Sequence, residues 1–233
     1  PYGPHLEEAY VGVKFMDIKL YVGKTGSAAD EFGIQGTKET IVADDAFDEY
    51  GETSGDELVG ISAKFADVVT VVAAHEMEAE SEKSYDEGTF YDIFVGAEFK
   101  GVSLGVAYQS LEASEASGSD AETTIWGVQA AYDAGFASFA ADYSVSECDE
   151  GGATEEFTIW NVFVAVPIKP VTLGAGYVTL DPDNDAEEDI TGWYANVIYK
   201  VPTAKNVRLF AEVADSDEED SDMGYLAGLR IKF

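Results

Sequence analysis

The feature that most constrains this chain is an alternation of period two that returns along its whole length. In residues 225–233, YLAGLRIKF, the side chains of Tyr225, Ala227, Leu229, Ile231 and Phe233 fall on one face of an extended strand. Leu226, Gly228, Arg230 and Lys232 fall on the other. Residues 9–15 repeat the pattern, with Ala9, Val11, Val13 and Phe15 against Tyr10, Gly12 and Lys14. After a tight turn at Met16-Asp17, Ile18, Leu20 and Val22 carry the apolar face onward. One greasy face and one polar face, repeated in strand after strand, predict an all-β protein.

Thirteen such stretches are predicted, over residues 10–15, 18–23, 58–65, 68–74, 89–100, 102–111, 123–132, 136–145, 157–168, 171–180, 190–201, 207–214 and 223–233. Many run to 9–12 residues, the length of a tilted strand that crosses a bilayer. Tight turns join them on one side. On the other side lie six expected long loops, 25–57, 76–87, 112–122, 147–156, 181–189 and 215–222.

Charge is sorted the same way. The net charge is -33, from 46 acids and 13 bases. Those six loops hold 37 of the acids but only Lys38 and Lys83 among the bases. Aromatic residues stand near strand ends on the apolar face: Tyr91, Phe99, Tyr108, Trp126, Tyr132, Tyr143, Trp160, Trp193, Tyr199 and Phe233. Alternation, one-sided loops and aromatic girdles together predict an antiparallel transmembrane β-barrel, with residues 1–233 as one domain interrupted by the loop at 25–57. A soluble β-sandwich, with the Val, Leu and Phe face hidden inside, is the competing expectation.

Several classes are excluded. No apolar run approaches the roughly 20 residues of a spanning helix, so a membrane form must be a barrel. With 46% hydrophobic residues, 13 Tyr and 13 Phe, the chain is too apolar for disorder despite its acidity. Nucleic acid is excluded as a partner by the charge. Cys148 is single, so there is no disulfide framework, and its acidic neighbours disfavour a reactive thiolate. His5 and His75 have no serine or cysteine partner at a catalytic spacing, and no cofactor-binding fingerprint is present, so no enzyme and no cofactor are expected.

Residues 7–24, EEAYVGVKFMDIKLYVGK, the DEFG and DDAFDEYGE segments of the loop after them, DELVGISAKF at 56–65 and the terminal Phe233 resemble the trimeric general porins of Gram-negative outer membranes. In that family sixteen strands form the barrel, and the third external loop, after the fifth strand, folds inward to narrow the pore. Matching the loop at 25–57 to that one makes the first strand here the family's fourth. Thirteen strands then run from the fourth to the sixteenth, with three of the family's strands ahead of this chain. A smaller complete barrel of twelve or fourteen strands is the alternative.

The resemblance implies a passive diffusion channel of the outer membrane for small hydrophilic solutes, assembled as a homotrimer among lipid and lipopolysaccharide. It implies an acidic inward loop, with Asp44, Asp45, Asp48 and Glu49 first and Asp30 and Glu31 second. Lys14, Lys19, Lys64, Arg208 and Arg230 are the expected basic wall. Glu7 stands where the family commonly has arginine, which weakens that wall and favours cations. Asp92, Glu98, Asp142 and Glu212 also fall on the face away from lipid. Tyr225, Leu229, Ile231 and Phe233 form the expected C-terminal assembly signal. Asp181, Asp183 and Asp185 occupy the first, third and fifth positions of a calcium-loop pattern, but Ala186 and Gly192 break it, so diffuse binding of Ca or Mg by the acidic loops is the stronger expectation. A non-transporting surface barrel with the same loops is the other function to weigh.

Overall fold

The structure, a computed structural model, describes residues 8–34, 45–77, 88–113, 118–184, 188–218 and 221–232. It contains thirteen strands: β1 (Ala9–Phe15), β2 (Ile18–Gly26), β3 (Ser54–Phe65), β4 (Val69–Glu76), β5 (Thr89–Phe99), β6 (Val102–Glu112), β7 (Glu122–Asp133), β8 (Ser138–Glu150), β9 (Ala153–Ile168), β10 (Val171–Pro182), β11 (Ile190–Lys200), β12 (Val207–Ser216) and β13 (Gly224–Ile231). All belong to one antiparallel sheet in which each strand pairs with its neighbours in sequence. β1 and β13 are its edges. Among the described residues no helix is long and apolar enough to cross a membrane, so any crossing is made by strands.

The burial pattern is inverted relative to a water-soluble protein. On β6, Leu104 and Val106 are 54% and 53% exposed, whereas Gln109 on the opposite face is fully buried. Val13, Val95, Val162 and Leu229 are exposed on the same outer face as Leu104. Asp92, Asp142, Asn161 and Glu212 are buried on the inner one. A sandwich would hide the first set and expose the second. An outer face of aliphatic side chains with polar groups inside is what a lipid-bathed barrel wall requires.

Aromatic residues mark where that outer face ends. Tyr91, Tyr108, Trp126, Tyr143, Trp160, Tyr177 and Trp193 form a row across β5–β11 at the loop end, all exposed. Tyr91 and Tyr108 have ring centroids 6.3 Å apart, and the pairs Trp126–Tyr143 and Trp160–Tyr177 are each at 5.6 Å. Phe99, Tyr132 and Phe139 mark the turn end. Indole and phenol rings favour the headgroup level, apolar body inward and polar tip outward.

Turn chemistry fixes the register. Lys100-Gly101 joins β5 to β6 with φ of 50° and 82°, the left-handed pair of a two-residue hairpin. Gly151-Gly152 does the same between β8 and β9, at 60° and 82°. This second turn corrects an expectation. Residues 147–156 form no loop: Glu147 opposes Glu156 and Cys148 opposes Glu155, so the wall continues as paired strands to the glycines. Tight turns are therefore not confined to one side. The strands that flank the other expected loops begin and end within four residues of the expected bounds.

Candidate functional site: a loop folded onto the inner wall

The segment between β2 and β3 does not stand away from the sheet. Residues 27–34 and 45–53 lie on its inner face, against β5–β9. Ala29 N–H donates to Asp92 Oδ2 at 2.7 Å, and Gly33 N–H to Gln129 Oε1 at 2.6 Å. Ala46 N–H donates to Ser144 Oγ at 2.9 Å. Glu52 N–H donates to Gln109 Oε1 at 2.9 Å, and Gln109 Nε2 donates back to Glu52 O at 2.7 Å. Polar side chains of a strand wall thus satisfy the irregular backbone laid over them, which a buried loop requires.

Between loop and wall lies the main apolar core. Ala28, Ala29, Phe32, Ala46 and Phe47 pack on Val72, Phe94, Ala107, Ile125, Ile159 and Val178. Phe32 and Phe47 meet at 4.9 Å, and Tyr50 stacks on Phe157 at 4.6 Å. Burying one such ring stabilises by about 1.5–3 kcal/mol. Gly127 is needed here, because a Cβ at that position would meet the Phe32 ring at 2.5 Å.

One helical turn, α1 (Ala46–Tyr50), carries the acidic candidates. Asp45 caps it: its side chain accepts from the Phe47 and Asp48 amides at 3.0 and 3.4 Å. It is 1% exposed. Burial, then the charges of Asp48 and Asp142, push its pKa up to about 8, against the two amides that favour the anion. Asp45 is therefore a buried cap whose burial favours the neutral form, and not the solvated pore charge that the resemblance implies. Asp48 and Glu49 are exposed on α1. Asp30, whose carboxyl is raised by burial and by Glu8, and Glu31 are exposed on the nearer part of the loop. Asp44 lies outside the described residues, as does Glu7.

The bases take the expected face but a different height. Lys14 and Lys19 are register partners beside the β1–β2 turn, and Lys64 is next to the β3–β4 turn. Arg208 and Arg230 are register partners beside the β11–β12 turn. Lys19 Nζ is 3.3 Å from the Tyr10 hydroxyl and lies over the rings of Tyr10 and Tyr21 at 4.4 and 5.0 Å. All five line the turn end of the inner face, whereas Asp45, at the start of α1, packs near Asp142 and Ser144 deeper along the wall. Among the described residues, the five expected wall bases do not stand at the level of α1.

Four anchors of the loop carried no signal of their own in the sequence: Gln109, Gln129, Ser144 and, in this role, Asp92. Only their inner-face parity marked them. Further polar pairs brace the wall, Asn161 Nδ2 to Asp142 Oδ1 at 3.0 Å and Asn196 Nδ2 to Glu212 Oε2 at 3.3 Å. Of the calcium-pattern residues, Asp181 and Asp183 are exposed and Asp185 lies outside the described residues. Among the described residues no group of three or more His, Cys, Asp or Glu is arranged to hold a metal ion. Tyr225, Leu229 and Ile231 are on the outer face of β13, and Phe233 lies outside the described residues.

The family model for Gram-negative porins matches residues 5–221. The chain belongs to that family. Its fold is that of solved porins at low sequence identity. The outer-membrane expressed OmpT of Vibrio cholerae superposes with a TM-score of 0.79 at 18% identity, over 98% of this chain and 81% of that one. An anion-selective porin from Comamonas acidovorans gives 0.79 at 10% identity, over 96% and 77%. OmpF of Salmonella typhi, in complex with daunomycin, gives 0.76 at 14% identity, over 96% and 77%. No protein of curated function matches the sequence. This porin is an outer-membrane channel protein and not an enzyme.

Proposed function

We propose that this porin is a passive, cation-preferring channel for small hydrophilic solutes, with residues 25–57 as its constriction. The observation that carries the reading is α1, which holds the exposed carboxylates of Asp48 and Glu49 over the inner wall. A ring of acids at a narrowing concentrates cations, and an acidic mouth adds to the effect. The fold itself does not choose the ion, since a porin described as anion-selective shares it. Selectivity is a property of these side chains. Reversal potential across a planar bilayer in a tenfold KCl gradient tests the proposal. A potential of the sign set by potassium permeation is expected; the opposite sign refutes it.

The aromatic row on β5–β11 has no member on β1–β4, whose outer face carries Val11, Val13, Leu20, Val22, Val59 and Ile61 instead. A face without aromatic anchors at its loop end suits protein contact, and one solved OmpT structure is described as a trimer form. A homotrimer through β1–β4 is the assembly we propose, read out by native mass spectrometry in detergent. We also propose that calcium or magnesium bridges the acidic loop end to lipopolysaccharide. Chelator-sensitive retention of lipopolysaccharide on the purified protein is the check.

A further inference from the structure

At the loop end of the inner face, Leu58, Glu76, Phe90, Leu111 and Thr123 form a row across β3–β7, each the register partner of the next. Glu76 is the carboxylate in an otherwise uncharged row. Its two partners, Leu58 and Phe90, belong to one small apolar core against which Leu111 packs. Glu76 itself is only 7% exposed. Its Oε1 accepts from the amides of Asp56 and Glu57 at 3.1 and 2.9 Å. Among the described residues its Oε2 has no hydrogen-bond partner. A buried carboxylate oxygen without a donor is costly, and a ligand that brings a donor removes that cost.

Glu76 forms part of the wall of a cavity of about 400 Å³. That is the size of a small-molecule pocket. Gly55, on the same wall, leaves room beside Oε2, because a Cβ there would collide with that oxygen. Phe90 and Leu111 supply an apolar lining, and Thr123 bounds the cavity on β7. Of the five charged residues on the lining, four are acids: Glu52, Asp56, Glu76 and Glu112. The base, Lys24, is ion-paired with Asp56. Among the described residues no three of these acids are grouped to hold a metal ion. The cavity suits a ligand that needs one carboxylate and an apolar surface.

We propose that this cavity binds an organic ammonium ion with an apolar, ring-sized body. The ammonium donates to Glu76 Oε2, a charge-assisted hydrogen bond at a site shielded from water. The apolar body lies on Phe90 and Leu111. The negative potential of Glu52 and Glu112 draws cations in and keeps anions out. Binding there does not rest on the channel reading above.

Tryptamine and its neutral analogue tryptophol are the probes. Calorimetry on the detergent-folded protein at neutral pH is expected to show saturable tryptamine binding, at least tenfold tighter than that of tryptophol. Glu76→Gln keeps an oxygen acceptor for the two amides and removes the charge. It should weaken tryptamine at least tenfold and leave tryptophol unchanged. Thr123→Trp fills the cavity from β7 without altering the carboxylate and should abolish binding of both. Glu155→Gln, at an exposed acid on the β8–β9 hairpin, should bind tryptamine as the parent does. Equal tryptamine binding by parent and Glu76→Gln, or an equal loss in Glu155→Gln, overturns the site, since either describes diffuse attraction to an acidic surface. If Glu76→Gln does not fold, Thr123→Trp decides, and unchanged binding there overturns the site. Calcium or magnesium binding that needs Glu76, with no binding of tryptamine, overturns the ammonium assignment in favour of a metal. A conducting protein that binds no tryptamine overturns this inference and leaves the channel intact. One that binds without conducting overturns the channel reading and leaves the site intact.

Discussion

Asp45 is expected to make the attachment of the loop between β2 and β3 depend on pH. Its carboxyl titrates near 8 when the loop is seated, against 3.8 for a free side chain. Seating the loop therefore takes up a proton between those values. The seated state binds that proton more tightly, so attachment is strongest below pH 4. It weakens as pH rises through the interval, and no further change follows well above 8. Each unit within the interval is worth about 1.4 kcal/mol. From pH 6 to pH 9 the loss is about 2.7 kcal/mol, since the slope vanishes past the upper value, and the detached fraction rises roughly 90-fold. Asp45→Asn removes the titration and keeps an efficient cap. Hydrogen exchange at the Phe47 and Asp48 amides, corrected for intrinsic rate, should show protection falling with pH in the parent and flat in the variant. Single-channel current should become noisier above pH 8 in the parent alone. An identical pH response in the two proteins refutes the reasoning.

Phe47→Ala empties a fully buried site between loop and wall. It should cost about 3–5 kcal/mol of loop attachment, read as larger and less steady single-channel conductance. Asp48→Asn/Glu49→Gln leaves the packing alone and should move the reversal potential toward zero by several millivolts in a tenfold gradient; an unchanged potential assigns selectivity elsewhere. Val95→Arg places a charge on the lipid face of β5, where about 2–4 kcal/mol is lost at mid-membrane, measured by urea unfolding in lipid vesicles. The same change at Ser103, on the inner face of β6, should cost far less.

Strand positions were legible because lipid imposes a strict rule on every second residue, and Leu104, Val106 and Tyr108 obey it. The hairpin at 147–156 was not, because Glu147 opposite Glu156 reads as a loop's acidity and the decisive signal is the Gly151-Gly152 pair. α1 spans five residues, too few for helical periodicity to show. Asp45 looked like one more exposed acid. It sits beside Ala46, whose amide donates to Ser144, and feels the charge of Asp142, both about a hundred positions away, which local pattern cannot reveal. The bases were placed on the right face by parity. Their height came from the register of the turns, which puts Arg208 opposite Arg230 and both beyond the reach of α1.

Sorting acids to one rim and bases to the other turns the molecule into a dipole lying along its own channel. When the loop side is made positive, potassium is driven in through the rim that gathers it, and chloride through the rim that gathers chloride. Reversing the polarity drains both from the interior. Current through this protein should therefore be larger in one direction than in the other, as in a diode. A symmetrical current–voltage curve from oriented single channels would show that the two rims are too well screened to matter.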